Sequence, residues 1–536
     1  MSNKLLRGTF ILTLGTYISR ILGMIYVIPF FALVGELGSA LYQYGYVPYT
    51  IFLSVATMGF PMAISKFVAK YNSIGDYATS RRMFRSGLVV MLITGIVTCG
   101  ILYITAPIFA VHQLGQNELQ GVTVEEVTFV IRMVSLALIV VPVMSLLRGF
   151  FQGHQSMGPT AVSQVVEQLV RIAFLLYSSY LIMKVWHGDL VTAVGYATFA
   201  AFVGAIGGLF VLFLYWIRRK NSLLAMQENI VEPSDISTRQ MFFEVFRYAG
   251  PFVFVSLAIP LYQFVDSVTF NKAMIQAGEG KTAQDLYAMV NFLVNKIVMI
   301  PVSLATAFGL TLVPAITKSF IDQNMLLVRK QIDQTFQILM FLVLPATVGM
   351  MILSEPIYIV FYNDNKTGAS ILTAYAPIAL LFSYFTATAA ILQGINKQKL
   401  AVISLAFGLL LKACLNSWLI GLFGAYGSIL ATAIGFIGSL IYGFAMIRRH
   451  SGYSFKKFCK RTIFTGILVI FMCVVVMAFS SLFSVFADYH ENKATAAILV
   501  GGAVLLGAGA YFSLAKETGF LAVIFGSALK RKRARG

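Results

Sequence analysis

Runs of about 20 apolar residues, the length that crosses about 30 Å of hydrocarbon, follow one another along the chain and are broken only by short polar stretches. Strand-like alternation of every second residue does not recur, which selects helices over a barrel. The pattern predicts membrane spans over 10–34, 46–65, 87–111, 127–147, 160–183, 191–217, 248–270, 288–313, 335–361, 370–392, 400–421, 424–447, 462–487 and 494–515. The first apolar stretch exceeds a secretory h-region and no small-residue cleavage site follows it, so it is read as a retained helix. The expected fold class is an all-α polytopic membrane protein with 14 transmembrane helices.

Polar interruptions supply a second pattern. The stretch RGFFQGHQSMGPTAVSQVVEQLVR (148–171) is echoed by QGINKQKLAVISLAFGLLLK (393–412). Gln152 and Gly153 fall on Gln393 and Gly394, Ser163 on Ser404, and Arg171 on Lys412. SVATMGFPMAISK (54–66) resembles SLATAFGLTLVPAITK (303–318), and IRR closes corresponding helices at 217–219 and 447–449. Such an internal repeat predicts two pseudo-symmetric six-helix bundles with a substrate path between them. The expected organisation is a first bundle over 1–220, a cytoplasmic linker over 221–245, a second bundle over 246–450, helices 13 and 14 within 451–515, and a basic tail over 516–536.

Composition agrees with a membrane solvent. The chain is 58% hydrophobic and 11% charged, against roughly 25% charged residues in a soluble globule. A net charge of +19 would otherwise suggest nucleic acid, but its placement answers differently. With a cytoplasmic amino terminus, about 30 of the Lys and Arg residues, Arg148 among them, fall on the cytoplasmic side, as the positive-inside rule requires. Basic charge therefore reports topology: a multi-pass plasma-membrane protein with both termini cytoplasmic, membrane lipids as partners and no nucleic acid. The carboxyl-terminal KRKRARG suits anionic headgroups. Four cysteines without CxxC spacing and five scattered histidines give neither a disulfide framework nor a metal-ligand pair.

Charges inside spans cost roughly 2.5–3.5 kcal/mol each on the insertion scale, so they mark candidate function. Arg20, Glu167, Arg171, Asp266, Lys296 and Lys412 are of this kind, two acids against four bases. Glu167 and Arg171 stand four residues apart and are expected to pair on one helix face. The surplus of bases suits an anionic substrate, and guanidinium groups engage phosphate oxygens bidentately. Tyr46, Thr50, Ser54 and Thr57 share a face of span 2, and Asn295, Met299, Ser303 and Thr306, with Asn291 a turn earlier, share one of span 8. Pro48, Pro61, Pro301 and Pro314 would bend these two spans. Hydroxyl stripes also serve helix packing, and both roles stay open. Dispersed loop acids offer no clustered acid/base or metal site, which argues against an enzyme.

SRILG (19–23), QG at the ends of spans 4 and 10, GAYGSILAT (424–432) and the six-plus-six-plus-two arrangement resemble the multidrug/oligosaccharidyl-lipid/polysaccharide exporter superfamily. Within it the chain is most similar to the MurJ-type lipid II flippases and the stage V sporulation protein B branch. The resemblance implies movement of an undecaprenyl-diphosphate-linked peptidoglycan precursor from inner to outer leaflet by alternating access. It also implies that Arg20 lines the cavity, with Lys296 as a matching base, and that helices 13 and 14 hold the lipid tail. The substrate-binding set is then Arg20, Lys296, Arg171, Lys412, Asn295, Ser54 and Ser303. Some members bind sodium through a helix-7 Asp with an Asn and an Asp of helix 11. Here Asp266 and Asn416 are present and Lys412 replaces an acid, so ion coupling through Asp266, Asn416 and Glu167 stands beside an Asp266–Lys412 ion pair. No cofactor is expected, coupling being open between membrane potential, H+ and Na+; cell-wall synthesis machinery is an expected partner. An exporter of another lipid-linked polysaccharide and a cation-coupled multidrug exporter are the alternatives.

Overall fold

A computed structural model describes residues 3–57, 60–115, 122–224 and 253–525, together with 240, 243 and 250. The linker expected over 221–245 and the basic end of the tail lie largely outside the described residues, as do the side chains of Pro61, Thr306 and Pro314. The described chain is almost wholly helical, and 12 stretches in it are long and apolar enough to cross a membrane. It falls into two compact units that part between Ala288 and Met289.

The first unit comprises α1 (Asn3–Ile25), α2 (Val27–Thr57), α3 (Phe60–Ser73), α4 (Tyr77–Leu114), α5 (Val124–Ser135), α6 (Ala137–Gly153), α7 (Met157–Tyr180), α8 (Leu190–Leu224), α9 (Ala258–Gln276) and α10 (Ala283–Ala288). The second comprises α11 (Val294–Ile321), α12 (Met325–Ile352), α13 (Ser354–Phe361), α14 (Lys366–Tyr375), α15 (Ile378–Gly394), α16 (Gln398–Phe423), α17 (Ala425–Ser451), α18 (Lys456–Phe486), α19 (Lys493–Glu517) and α20 (Phe520–Phe525).

Helix starts follow their capping side chains. Asp76, Asn324, Asn365 and Asn492 each accept a backbone N–H of the first turn they precede, and Thr123 with Glu126 forms a reciprocal capping box at α5. Inside α2 the ladder breaks at Gly35, whose φ of 65° and ψ of −162° are open to glycine alone. The apolar stretch from Ile11 to Thr57 holds 47 residues, roughly 70 Å of helix at 1.5 Å per residue, more than twice the thickness of a bilayer core.

One matched pair from the sequence, Ser163 and Ser404, makes like contacts in the two units. In the first unit α7 packs along α8, where Gly204, Gly207 and Gly208 let the backbones approach: a Cβ at Gly207 would lie 3.0 Å from the Val170 side chain. Ser163 Oγ of α7 donates to the Gly208 carbonyl at 3.0 Å. In the second unit, α16 packs along α17, and Ser404, the repeat equivalent of Ser163, donates to the Ser439 carbonyl at 2.7 Å. Ser439 returns a bond to the Ser404 carbonyl at 2.8 Å. Small residues with a serine bonded to backbone join helices closely where apolar burial supplies no drive.

The last two long helices bury only a narrow seam. Leu468, Met472 and Val476 of α18, four residues apart, face Leu499, Ala503, Gly507 and Tyr511 of α19, with Val476 beside Gly507. Tyr511 donates to the Phe341 carbonyl at 2.9 Å and so ties the hairpin to α12. Their other faces carry exposed Ile463, Ile467, Ile470, Val474, Ile498 and Leu505, a surface only hydrocarbon would solvate.

Candidate functional site: a basic, tyrosine-lined cluster

In the first unit α1 runs alongside α7. A Cβ at Gly15 would meet Ala161 at 2.9 Å, one at Gly23 would meet Gln168 at 3.2 Å, and Thr16 donates to Gln164 Oε1 at 3.0 Å. Arg20 sits four residues after Thr16 and three before Gly23, on the row that α1 presents to α7, and it is half-buried. The opposing row of α7 reads Gln164, Gln168 and Arg171 at helical spacing.

Arg171 does not pair with Glu167, contrary to the expectation from their spacing. Its Nη2 donates to Tyr46 at 2.7 Å and to Tyr42 at 3.1 Å, and its guanidinium carbon lies 5.1 Å from the centre of the Tyr46 ring. Tyr46 stacks on Tyr42 at 5.3 Å and touches Tyr49 at the same separation, and the Tyr26 and Tyr42 hydroxyls lie 3.5 Å apart. The cation is held by phenol oxygens and ring faces, so it is oriented without its charge being neutralised. Among the described residues those bonds occupy Nη2, leaving Nε and Nη1 of the five-donor fork for a ligand.

Glu167 is taken by another cation. Its Oε2 accepts from Arg148 Nη2 of α6 at 2.7 Å, while Arg148 also donates to Ser163 Oγ from Nε at 3.2 Å and from Nη2 at 2.8 Å. Arg148, read from the sequence as a cytoplasmic loop charge, thus joins the interior of the unit with a side chain only 13% exposed. Sequence reasoning also missed the tyrosines as a group, although Tyr42, Tyr46 and Tyr49 fall at i, i+4 and i+7. Gly204 makes this geometry possible: a Cβ there would lie 2.7 Å from the Arg171 Cβ and 2.8 Å from the Glu167 carbonyl. Gly204→Val is therefore expected to cost about 1–3 kcal/mol through overpacking, read as a lowered unfolding midpoint in detergent.

The predicted hydroxyl stripe of α2 spends its protons at home. Thr50, Ser54 and Thr57 donate to the carbonyls of Val47, Thr50 and Leu53, and in α11 Ser303 donates to Ile300. Such groups remain available as acceptors.

The other candidates have partners of their own. Asn295 donates to Tyr375 at 3.1 Å, and half-buried Lys296 stands 5.4 Å from the Phe292 ring centre. Lys412 and Asn416, one turn apart on α16, are completely buried, and Lys412 Nζ donates to Thr432 of α17 at 2.6 Å. Asp266 is buried on α9 of the first unit.

Comparison with known proteins gives this arrangement a lineage. Residues 5–320 match the family model described as polysaccharide biosynthesis protein. The chain is 57% identical over 533 residues to the lipid II flippase MurJ of Bacillus subtilis, with 99% of this chain and 98% of that protein covered. The chain belongs to the MurJ family. A solved structure of MurJ in an inward closed conformation superposes with a TM-score of 0.66 at 14% identity, over 96% of this chain and all of that one. An inward-facing multidrug-resistance MATE transporter of the MOP superfamily superposes with a TM-score of 0.61 at 14% identity, covering 81% of this chain and 94% of that one. The MurJ fold is thus the fold expected from the helix pattern, in its all-α, multi-span character.

Proposed function

We infer that this protein is a lipid II flippase, a transporter and not an enzyme, which carries an undecaprenyl-diphosphate-linked peptidoglycan precursor across the bacterial plasma membrane. The observation that carries the reading is the 57% identity with the Bacillus subtilis flippase across essentially both whole chains. The local chemistry supports it. Arg20 and Arg171 stand on facing rows of α1 and α7, and a diphosphate offers several oxygens to the Nε and Nη1 donors that the tyrosines leave open. Gln164 and Gln168 on the same row supply amide groups suited to sugar or peptide. Ser54 joins this proposed set within the first unit, Lys296, Asn295 and Ser303 are the second unit's own proposed substrate contacts, and alternating access is the proposed cycle.

The finer topology belongs to the same proposal. The 47-residue stretch from Ile11 to Thr57 divides at Gly35 into two crossings, and the segment ending in α9 supplies one more beyond the 12, giving 14 in a six-plus-six-plus-two grouping. Both termini are placed in the cytoplasm by the distribution of Lys and Arg. Lys412 stands on the helix where some relatives carry a sodium-binding acid, which favours coupling to membrane potential over a sodium ion held by Asp266 and Asn416. Membrane lipids and cell-wall synthesis machinery are its proposed surroundings.

The test is transbilayer movement of labelled lipid II in proteoliposomes containing the purified chain. Movement above protein-free vesicles is expected, and its absence under an imposed potential of either sign would overturn the reading. A lipid-linked teichoic or polysaccharide precursor in parallel vesicles separates the substrates: faster movement of that precursor would point to the broader polysaccharide-export function of the family.

A further inference from the structure

In the second unit three ligand-bearing side chains converge. Glu355 opens α13, Asp364 lies in the turn between α13 and α14, and His490 lies in the connection between α18 and α19. One ligand atom from each falls within 4.8 Å of the others. His490 Nδ1 is 2.9 Å from Asp364 Oδ2, Tyr489 donates to Glu355 Oε2 at 3.1 Å, and the His490 backbone N–H is fixed by Asp488 at 2.9 Å.

We propose that Glu355, Asp364 and His490 form a divalent-cation site of the zinc class that staples the α18–α19 connection to the α13–α14 turn. Two carboxylates this close repel each other and gain a shared counter-charge from a metal. Ligands bound at about 2.0–2.2 Å around one tetrahedral ion stand roughly 3.4 Å apart, so small side-chain rotations convert the present spacing into coordination. One imidazole nitrogen with two carboxylates is a donor set for zinc, whereas magnesium and calcium take six or more oxygens. Tyr489 orients Glu355 from behind, as outer-shell partners of metal ligands do. The exposed edges of Asp364 and His490 leave an entry path and a position for water. The ends of α12 and α18 near this site are those remote from Arg329 and Lys330 and from Lys456 and Lys457, which on the proposed topology is the outer face.

The experiment is calorimetric titration of ZnCl2 into the full-length, tag-free, chelator-treated protein in detergent, with melting midpoints recorded in parallel. One ion per chain and a raised midpoint are expected. His490→Ala and Asp364→Asn should each weaken uptake by at least about tenfold, the lower range for lost metal-site groups, and an equal concentration of MgCl2 should leave it unchanged. No saturable uptake by the native chain, or an isotherm that neither substitution alters, would overturn the proposal. Because both substituted side chains are at the surface, the variants' unliganded melting midpoints serve as the check on folding, and native-like midpoints with lost zinc response support the site.

Discussion

Arg171→Ala is expected to slow lipid II translocation by roughly tenfold to a hundredfold while leaving the helices assembled. The size follows from the geometry: a hydrogen bond to a charged group contributes about 1.5–3 kcal/mol, and each 1.4 kcal/mol is about a factor of ten. Nη2 is committed to Tyr42 and Tyr46, so what the substitution removes from a phosphate is the Nε and Nη1 edge. Arg171→Lys should recover only part of the rate, because an ammonium on a flexible stem can neither span two oxygens nor be oriented by the same two phenols. Tyr46→Phe isolates the second effect: the cation remains but loses its 2.7 Å acceptor, and a loss smaller than that of Arg171→Ala is expected. The readout is initial translocation rate in proteoliposomes at matched protein density. An unchanged rate for Arg171→Ala would mean that the tyrosine-held cation is structural, and the substrate would have to be held elsewhere.

The sequence made the membrane architecture legible because hydrocarbon imposes one rule on every crossing segment: backbone polar groups are satisfied internally and side chains are apolar. One pair of matched positions was legible for a related reason. Polar positions are rare enough in such a chain that matched ones carry information, and Ser163 and Ser404 prove to make the same kind of bond to the following helix. A break near Gly35 was legible as the end of the first apolar span at residue 34, but its conformation was not. Nothing local distinguishes that residue among 44 glycines, and its positive φ is seen only in the structure. The basic cluster was legible as a list and misread as a pairing. Four-residue spacing places Glu167 and Arg171 as neighbours on a helix surface, but pairing is decided by what the adjacent helices offer. Arg148 arrives from α6 for Glu167, and α2 brings tyrosines to Arg171. Glu355, Asp364 and His490 were invisible for the plainest reason: 126 residues separate the Asp and the His, and scattered histidines have no spacing to read.

Arg148→Ala should produce the largest loss of stability among single substitutions in the first unit, about 2–4 kcal/mol. Removing one partner of a buried ion pair typically costs about 3–5 kcal/mol, because the other charge is left without compensation. Here the Glu167 side chain keeps 24% of its exposure, so water recovers a portion. The same guanidinium also serves Ser163 Oγ, which itself anchors Gly208 of α8, and its removal loosens three helices at once. The control is the double substitution Arg148→Ala with Glu167→Gln, which takes away both charges, with Glu167→Gln alone closing the cycle. If the single loss comes from an uncompensated carboxylate, the double variant should be more stable than Arg148→Ala, and the double-mutant cycle should show coupling of about 1–3 kcal/mol. Thermal and denaturant unfolding in detergent provide the measurement. Strict additivity would mean that Arg148 acts through packing of its aliphatic stem, with the 2.7 Å contact contributing nothing separable, and Gly208 would then be the residue that holds α6, α7 and α8 together.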